Sequence, residues 1–321
     1  MTTHPAPADR TPAHSALTGR ALTDSAVTDS PPAGSAPAAS TAAPYVHGYS
    51  ERESRRLADQ ADTLAALLHE GTAYPPGSRV LEAGCGVGAQ TAHLVAASPG
   101  ARVVAVDMDA ESLARARTRL GGRGSAGGGG VEWYRADVRR LPFPDDHFDH
   151  VFVCFLLEHL AAPAGALAEL RRVLRPGGTI TVIEGDHGSA FFHPAGAYAE
   201  AVIGHQVRLQ AAAGGNALMG RQVVPLLAAA GFTRLRAEPR TVCADRSRPA
   251  LAEGFTRLTF TPMVAAVREE ALAAGLSTAA DFDRGIAELY RTAEEDGTFQ
   301  YTFLKATAVK PGAGESGGPQ R

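Results

Sequence analysis

Between Ser50 and Glu70 the apolar positions Leu57, Ala61, Leu64, Leu67 and Leu68 recur at helical spacing, behind a Ser50-x-x-Glu53 pattern suited to a capping box. A single amphipathic helix is expected there. Beyond it, Arg79–Ala83, Arg102–Val106, Val131–Ala136, Asp149–Phe155 and Thr179–Glu184 are short apolar runs rich in β-branched residues, the pattern of strands buried on both faces. Helical stretches, Gly88–Ala97, Ala110–Leu120 and Pro163–Leu174, separate most of them. Strands alternating with helices predict a parallel, doubly wound α/β sheet, whose ligand site lies at the carboxyl ends of the strands where their order reverses. After Glu184 the pattern changes to helices near Ala195–Ala213 and Arg221–Ala230 and a strand near Thr233–Cys243. A largely helical stretch, Pro249–Glu295, then leads to a final strand, Thr298–Val309, with Phe299, Tyr301 and Phe303 in alternation.

Composition trims this picture at its ends. Residues 1–44 are almost entirely small or polar, with hardly a large apolar side chain, and 311–321 share that character, so both are expected to be disordered tails. The body is then 45–310, and the glycine-rich run Gly121–Gly130 reads as a linker at the end of its strand away from any ligand. A net charge of -3 provides no field to hold a polyanion, which argues against nucleic acid as a partner. Apolar runs fall short of the ~20 residues that span a bilayer and nothing resembles a secretion signal, so a cytoplasmic location is expected. Cys85, Cys154 and Cys243 lie far apart, without the C-x-x-C spacing of a zinc site or redox pair, and no metal is expected.

The chemistry concentrates where the first strand meets its helix. In Val80-Leu81-Glu82-Ala83-Gly84-Cys85-Gly86-Val87-Gly88-Ala89, glycines allow a tight turn and let a ligand approach bare backbone. Taken alone, Gly84-x-Gly86-x-x-Ala89 also satisfies the dinucleotide fingerprint, with Asp107 where a ribose-binding acid belongs in either case. Charge separates the two. A dinucleotide brings an anionic pyrophosphate to a helix N-terminus, whereas a ligand carrying sulfonium and ammonium groups seeks carboxylates, and Glu82 stands two residues before the first glycine.

From Arg79 to Glu184 the chain resembles the class I S-adenosylmethionine-dependent methyltransferases, with their segments in order. Val80 to Gly88 resembles the first motif and Val104-Ala105-Val106-Asp107 the second strand and its acid. Ala136-Asp137-Val138 with Leu141-Pro142-Phe143 resembles the adenine-contacting stretch, and Phe148 to Val151, Leu157-Glu158-His159-Leu160 and Leu174-Arg175-Pro176-Gly177-Gly178 complete the series. The resemblance is strongest to the small-molecule branch that contains ubiquinone- and menaquinone-pathway enzymes, and Ile183 to Ser189 extends it. It implies a Rossmann-like, mostly parallel seven-stranded sheet with an antiparallel last strand and a helical cap over 249–295. It implies S-adenosylmethionine as cofactor, held by Glu82, Gly84, Gly86, Gly88, Asp107, Met108, Asp137, Val138 and Phe155, with Tyr49 in a segment that folds over it as a lid. Asp107 would take both ribose hydroxyls and Asp137 the adenine amino group. For Asp107 the alternative is helix capping, and for Asp137 a turn.

A small-molecule acceptor would enter over the ends of the fourth and fifth strands. His159, after the fourth, and His187 with Asp186, after the fifth, are the expected catalytic candidates. His187 would serve as proton acceptor, oriented by Asp186 or Glu184, although methyl transfer can also proceed by positioning alone. Two other readings are carried forward: an NAD-linked oxidoreductase, which rests on the glycine pattern, and a non-catalytic cofactor-binding subunit.

Overall fold

Leu64 and Leu68, with Ala61 on the same face, are buried, and they lay helix α1 (Glu51–Leu68) along one side of a central sheet. The computed structural model describes residues 51–121 and 130–312, the side chain of Arg52 aside. The expected N-terminal tail, the expected lid segment with Tyr49, the expected capping residue Ser50, residues 122–129 of the Gly121–Gly130 linker and 313–321 of the expected C-terminal tail lie outside these residues. Glu53, expected to close a capping box, makes a buried ion pair with Arg56 through contacts of 2.6 and 2.8 Å.

Strands β1 (Arg79–Ala83), β2 (Arg102–Asp107), β3 (Val131–Arg135), β4 (Phe148–Cys154) and β5 (Leu174–Gly185) are parallel and alternate with helices α2 (Ala89–Ala97), α3 (Ala110–Leu120) and α4 (Pro163–Val173). β6 (Phe191–His193), β7 (Thr233–Ala244) and β8 (Thr298–Val309) follow, with α5 (Ala197–Ala212) and α6 (Val223–Ala229) between β6 and β7. The eight-stranded sheet runs β3-β2-β1-β4-β5-β8-β6, and β7 pairs with the other side of β8. β8 is antiparallel to β5, β6 and β7. The order reverses between β1 and β4, and that crevice at the carboxyl ends is where a doubly wound sheet takes its ligand.

Period-two alternation sorts the core into two layers. Phe152, Cys154 and Ile183 face a cluster with α1, α5 and the cap, while Val151, Val153, Ile180 and Val182 face α4 and α6. Burial on both faces, expected for all five parallel strands, holds for β1, β2, β4 and β5. β3 is an edge strand and half exposed. The seven strands expected become eight because Phe191–His193, three residues of mixed exposure, are too short to show a period. β5 also begins at Leu174 rather than Thr179, pairing with Phe148 ahead of a register shift.

The expected helical cap is present. Residues 249–265 form one helical rod, α7, whose middle nine residues, Ala252–Phe260, are wound as a π-helix. α8 (Arg268–Ala273) and α9 (Ala279–Arg291) complete the cap. π-winding is uncommon and tends to occur beside functional sites. Here it packs Phe255 and Phe260 against Phe299 and Tyr301 of β8.

Candidate functional site

β1 ends in a loop pinned to its neighbour: the amides of Gly84 and Cys85 both donate to the Val106 carbonyl, at 2.8 and 3.0 Å. Gly84 has φ +76°, and a Cβ there would stand 2.7 Å from Leu156 Cδ1, so this glycine serves close packing as well as the turn. Gly86 differs. Its φ is +50°, and a Cβ would meet nothing within 4 Å, which leaves bare backbone facing open space. Gly88 starts α2 from the left-handed region, without a side-chain cap.

Beneath this loop Glu82 is 2% exposed, and its Oε2 has no hydrogen-bond partner among the described residues. Burial pushes its carboxyl up to about 8, and the nearby Asp107 adds to the shift. A buried, half-unpaired acid is costly to the fold, which makes it a candidate for binding a cationic or donor group. Asp107 closes β2. Its Oδ2 accepts from the Gly86 amide at 2.8 Å and its Oδ1 from the Asp109 amide at 2.9 Å, and burial raises its pKa. Each oxygen keeps a second lone pair for a hydroxyl donor. The capping alternative for Asp107 falls away, because Asp109 caps α3 by accepting from the Ser112 amide.

Met108 is 40% exposed directly after β2, an apolar wall at the mouth of the crevice. Asp137 is tied to Arg139 by a bidentate pair with contacts of 2.6 to 3.1 Å and accepts the Arg139 amide, so the turn role is filled. That pair holds its carboxyl below the usual range. Val138 buries its side chain in the core, so only its backbone is left for a ligand. Phe155, just past β4, has φ +57°, an unfavourable setting for a bulky residue. Its amide donates to the Ile183 carbonyl, and its ring lies 5.4 Å from Phe303.

The turn after β4 is organised by Glu184, fully buried at the end of β5. Its carboxylate accepts the amides of Leu156, Leu157 and Glu158 at 3.0, 2.7 and 3.4 Å. Burial, with Glu158 close by, pushes its pKa well up against the pull of those amides. Asp186 accepts both Arg221 nitrogens at 2.7 Å and caps the short 3-10 turn His187–Ser189 through the Gly188 amide. Neither acid therefore orients His187. Its Nδ1 lies 2.7 Å from the Tyr301 hydroxyl, both groups are buried, and burial lowers the imidazole pKa. His159 is drawn towards Glu158, 3.5 Å from Oε1, and burial lowers its pKa as well.

Comparison with known proteins bears on which ligand this crevice takes. Residues 81–182 match the family described as methyltransferase domain. The C-methyltransferase UbiE of ubiquinone and menaquinone biosynthesis from Ectopseudomonas mendocina is 39% identical over 132 residues, covering 38% of this chain and 51% of its own. Demethylmenaquinone methyltransferase from Clavibacter sepedonicus is 43% identical over 108 residues, covering 34% of this chain and 41% of its own.

Over residues 81–182 the chain is similar to the methyltransferase domains of S-adenosylmethionine-dependent enzymes of class I.

An uncharacterised 37.1 kDa protein of transposon TN4556 from Streptomyces fradiae extends the match to 180 residues at 34% identity, covering 54% of this chain and 49% of its own. The chain thus spans about half, or less, of the length of these curated relatives. Among solved structures, phosphoethanolamine N-methyltransferase 2 of Haemonchus contortus aligns at 18% identity with a TM-score of 0.50, over 78% of this chain and 52% of its own. The [4+2]-cyclase SpnF aligns at 22% identity with a TM-score of 0.50, over 78% of this chain and 82% of its own. At those identities the structures share the fold, and a fold alone does not fix a reaction.

Within the matched residues the structure gathers Glu82, Gly84, Gly86, Asp107 and Met108 at the ends of β1 and β2. Phe155, Glu158, His159, Asp186 and His187 stand at the ends of β4 and β5. Sequence reasoning missed Tyr301 as a polar group of the site. Its signal was present in Phe299-x-Tyr301-x-Phe303: one hydroxyl on a face otherwise made of phenylalanine needs a buried partner. Also missed was Lys305, whose buried Nζ donates to the Leu68 and Glu70 carbonyls and the Thr72 hydroxyl, closing the C-terminal end of α1.

Proposed function

We propose that this chain transfers the methyl group of S-adenosylmethionine to a small-molecule acceptor, chiefly by holding the two reactants in line. The observation that carries this reading is the Glu82 carboxyl, buried at the end of β1 with an oxygen lacking a partner among the described residues. An amine or sulfonium beside it would hold the acid ionised and pair with it, whereas the pyrophosphate of NAD would find only a neutral acid or a like charge, and no observation favours the oxidoreductase. The cofactor supplies an activated methyl on a cationic sulfur.

The rest is the work of this chain. Asp107 offers the second lone pairs of its two oxygens to the ribose hydroxyls while it fixes the Gly86 amide, so ligand and loop are ordered together. Gly86 presents open backbone, and Met108 covers an apolar face. Glu184 sets the backbone at 156–158, and with it Phe155, at the border between cofactor and acceptor. Asp137 takes the adenine amino group by sharing the oxygens it now gives Arg139, and Val138 adds a backbone contact. The acceptor enters between α1, the turn after β4, the turn after β5 and the helical rod α7. Orientation of this kind, with water excluded, can lower a barrier by ~7 to 11 kcal/mol.

The test is to incubate the purified chain with methyl-labelled S-adenosylmethionine and an extract of its source cells. Label recovered in a small molecule, with S-adenosylhomocysteine formed in equal amount, is the expected result. Binding without any transfer would instead support the cofactor-binding subunit.

A further inference from the structure

His187 and Tyr301 form a pair that bears on how the acceptor is held. Nδ1 is the ring nitrogen that faces the phenol, at 2.7 Å, and this is the Tyr301 hydroxyl's sole side-chain hydrogen bond among the described residues. The contact is built in. Gly185, at the end of β5, leaves the room it needs, since a Cβ there would overlap the Tyr301 hydroxyl. The rings of Phe255, Phe260 and Phe303 lie 4.7 to 5.5 Å from that of Tyr301, so the phenol cannot swing to water.

A neutral imidazole carries one N–H, and which nitrogen holds it follows from what the other nitrogen must do. Were Nδ1 the protonated one, Tyr301 would have to accept, and its own O–H would be left buried without an acceptor, the expensive outcome for a polar group in a dry site. If Tyr301 donates to Nδ1, both groups are satisfied and the proton sits on Nε2. The groups that set the ring's charge are Glu158 and His159 from the turn after β4, Arg56 from α1, Asp186 from its own turn and Tyr301 from β8, with the apolar Phe260 from α7 alongside. Burial outweighs the two acids and keeps the ring neutral.

The geometry points to His187 as a hydrogen-bond donor, through Nε2–H, to a carbonyl or anionic oxygen of the acceptor, with Tyr301 as the positioning residue that fixes this tautomer. His187 is then no general base. The oxygen it holds belongs to a molecule that reaches the site already ionised or needs no ionisation. That an acceptor is bound there rests on the methyl-transfer reading. The tautomer does not.

Two measurements separate them. Nitrogen NMR of the full chain labelled at histidine, with the His187 signals identified by their loss in His187→Gln, reads the tautomer directly without any ligand. The expected result is a protonated Nε2 and an unprotonated Nδ1 near neutral pH, with the preference lost in Tyr301→Phe. A protonated Nδ1, or an imidazolium, overturns the inference whatever the chain methylates. In the labelled-extract assay, His187→Ala should lower transfer ~100-fold, the usual effect of removing one well-placed donor. His187→Gln places an N–H near the position of Nε2 but cannot act as a base, so it should retain transfer within ~10-fold of the parent. Equal losses in both variants would restore the base and contradict the donor role.

Discussion

Glu82 has a pH dependence that can be measured. Its folded-state value of about 8 lies above its ordinary 4.5, so the ligand-free protein favours the protonated acid. The stability this contributes is complete below about 4.5 and is lost as pH rises towards 8. A cationic amine needs the carboxylate instead. Affinity for S-adenosylmethionine should therefore rise with pH, by up to about tenfold per unit, and turn over near 8, where an α-amino group itself begins to lose its proton. Titrations over this range should show that slope in the parent and a nearly flat profile in Glu82→Gln. Ligand-free Glu82→Gln should also melt higher than the parent at pH 8. Asp107→Ala should weaken cofactor binding by ~2 to 4 kcal/mol, because hydrogen bonds to a charged group contribute ~1.5 to 3 each and do not add fully. Unchanged affinity by calorimetry would remove Asp107 from the site. Both acids were legible from their spacing to the glycines. The pairing of Tyr301 with His187 was not, because the two lie 114 residues apart and no local pattern links a turn after β5 to the last strand.

At the scale of elements, the two central glycines should separate stability from binding. Gly84→Ala meets Leu156 and has φ +76°, so it should destabilise the fold by ~2 to 4 kcal/mol, left-handed strain of ~1 to 2 adding to overpacking. Gly86→Ala meets nothing and should cost only the ~1 to 2 kcal/mol of strain, yet it places a methyl on the open face and should weaken cofactor binding more than Gly84→Ala does. Thermal melts and calorimetry on the two variants check the reversal. Lys305→Met should cost ~1 to 3 kcal/mol by leaving the carbonyls of Leu68 and Glu70 without their donor, as a denaturant titration would show. The alternation of short β-branched strands with amphipathic helices was legible almost residue by residue, because burial on both faces leaves continuous apolar runs. What escaped was structure without a period: the three-residue β6, the 3-10 turns, and the π-winding of Ala252–Phe260, whose composition is that of an ordinary helix.

For the molecule as a whole, sheet order, glycine loop and acids converge on one crevice, while the acceptor side is built from distant elements: α1, the turns after β4 and β5, α7 and β8. The family match at 81–182 covers the first half of that arrangement and leaves α1, the cap and the closing strands to this chain. Among the described residues no helix is long and apolar enough to cross a membrane, and no cluster of His, Cys, Asp and Glu is suited to a metal. The central claim is that the crevice takes a cationic methyl donor rather than a dinucleotide. Its most direct test is calorimetric titration of the purified chain at pH 7.5 with S-adenosylmethionine, S-adenosylhomocysteine and NAD in parallel. The expected result is saturable one-site binding of the first two, weakened in Glu82→Gln and Asp107→Ala, with no heat from NAD. Binding of NAD that displaces S-adenosylmethionine, or binding of S-adenosylmethionine indifferent to both substitutions, would contradict it.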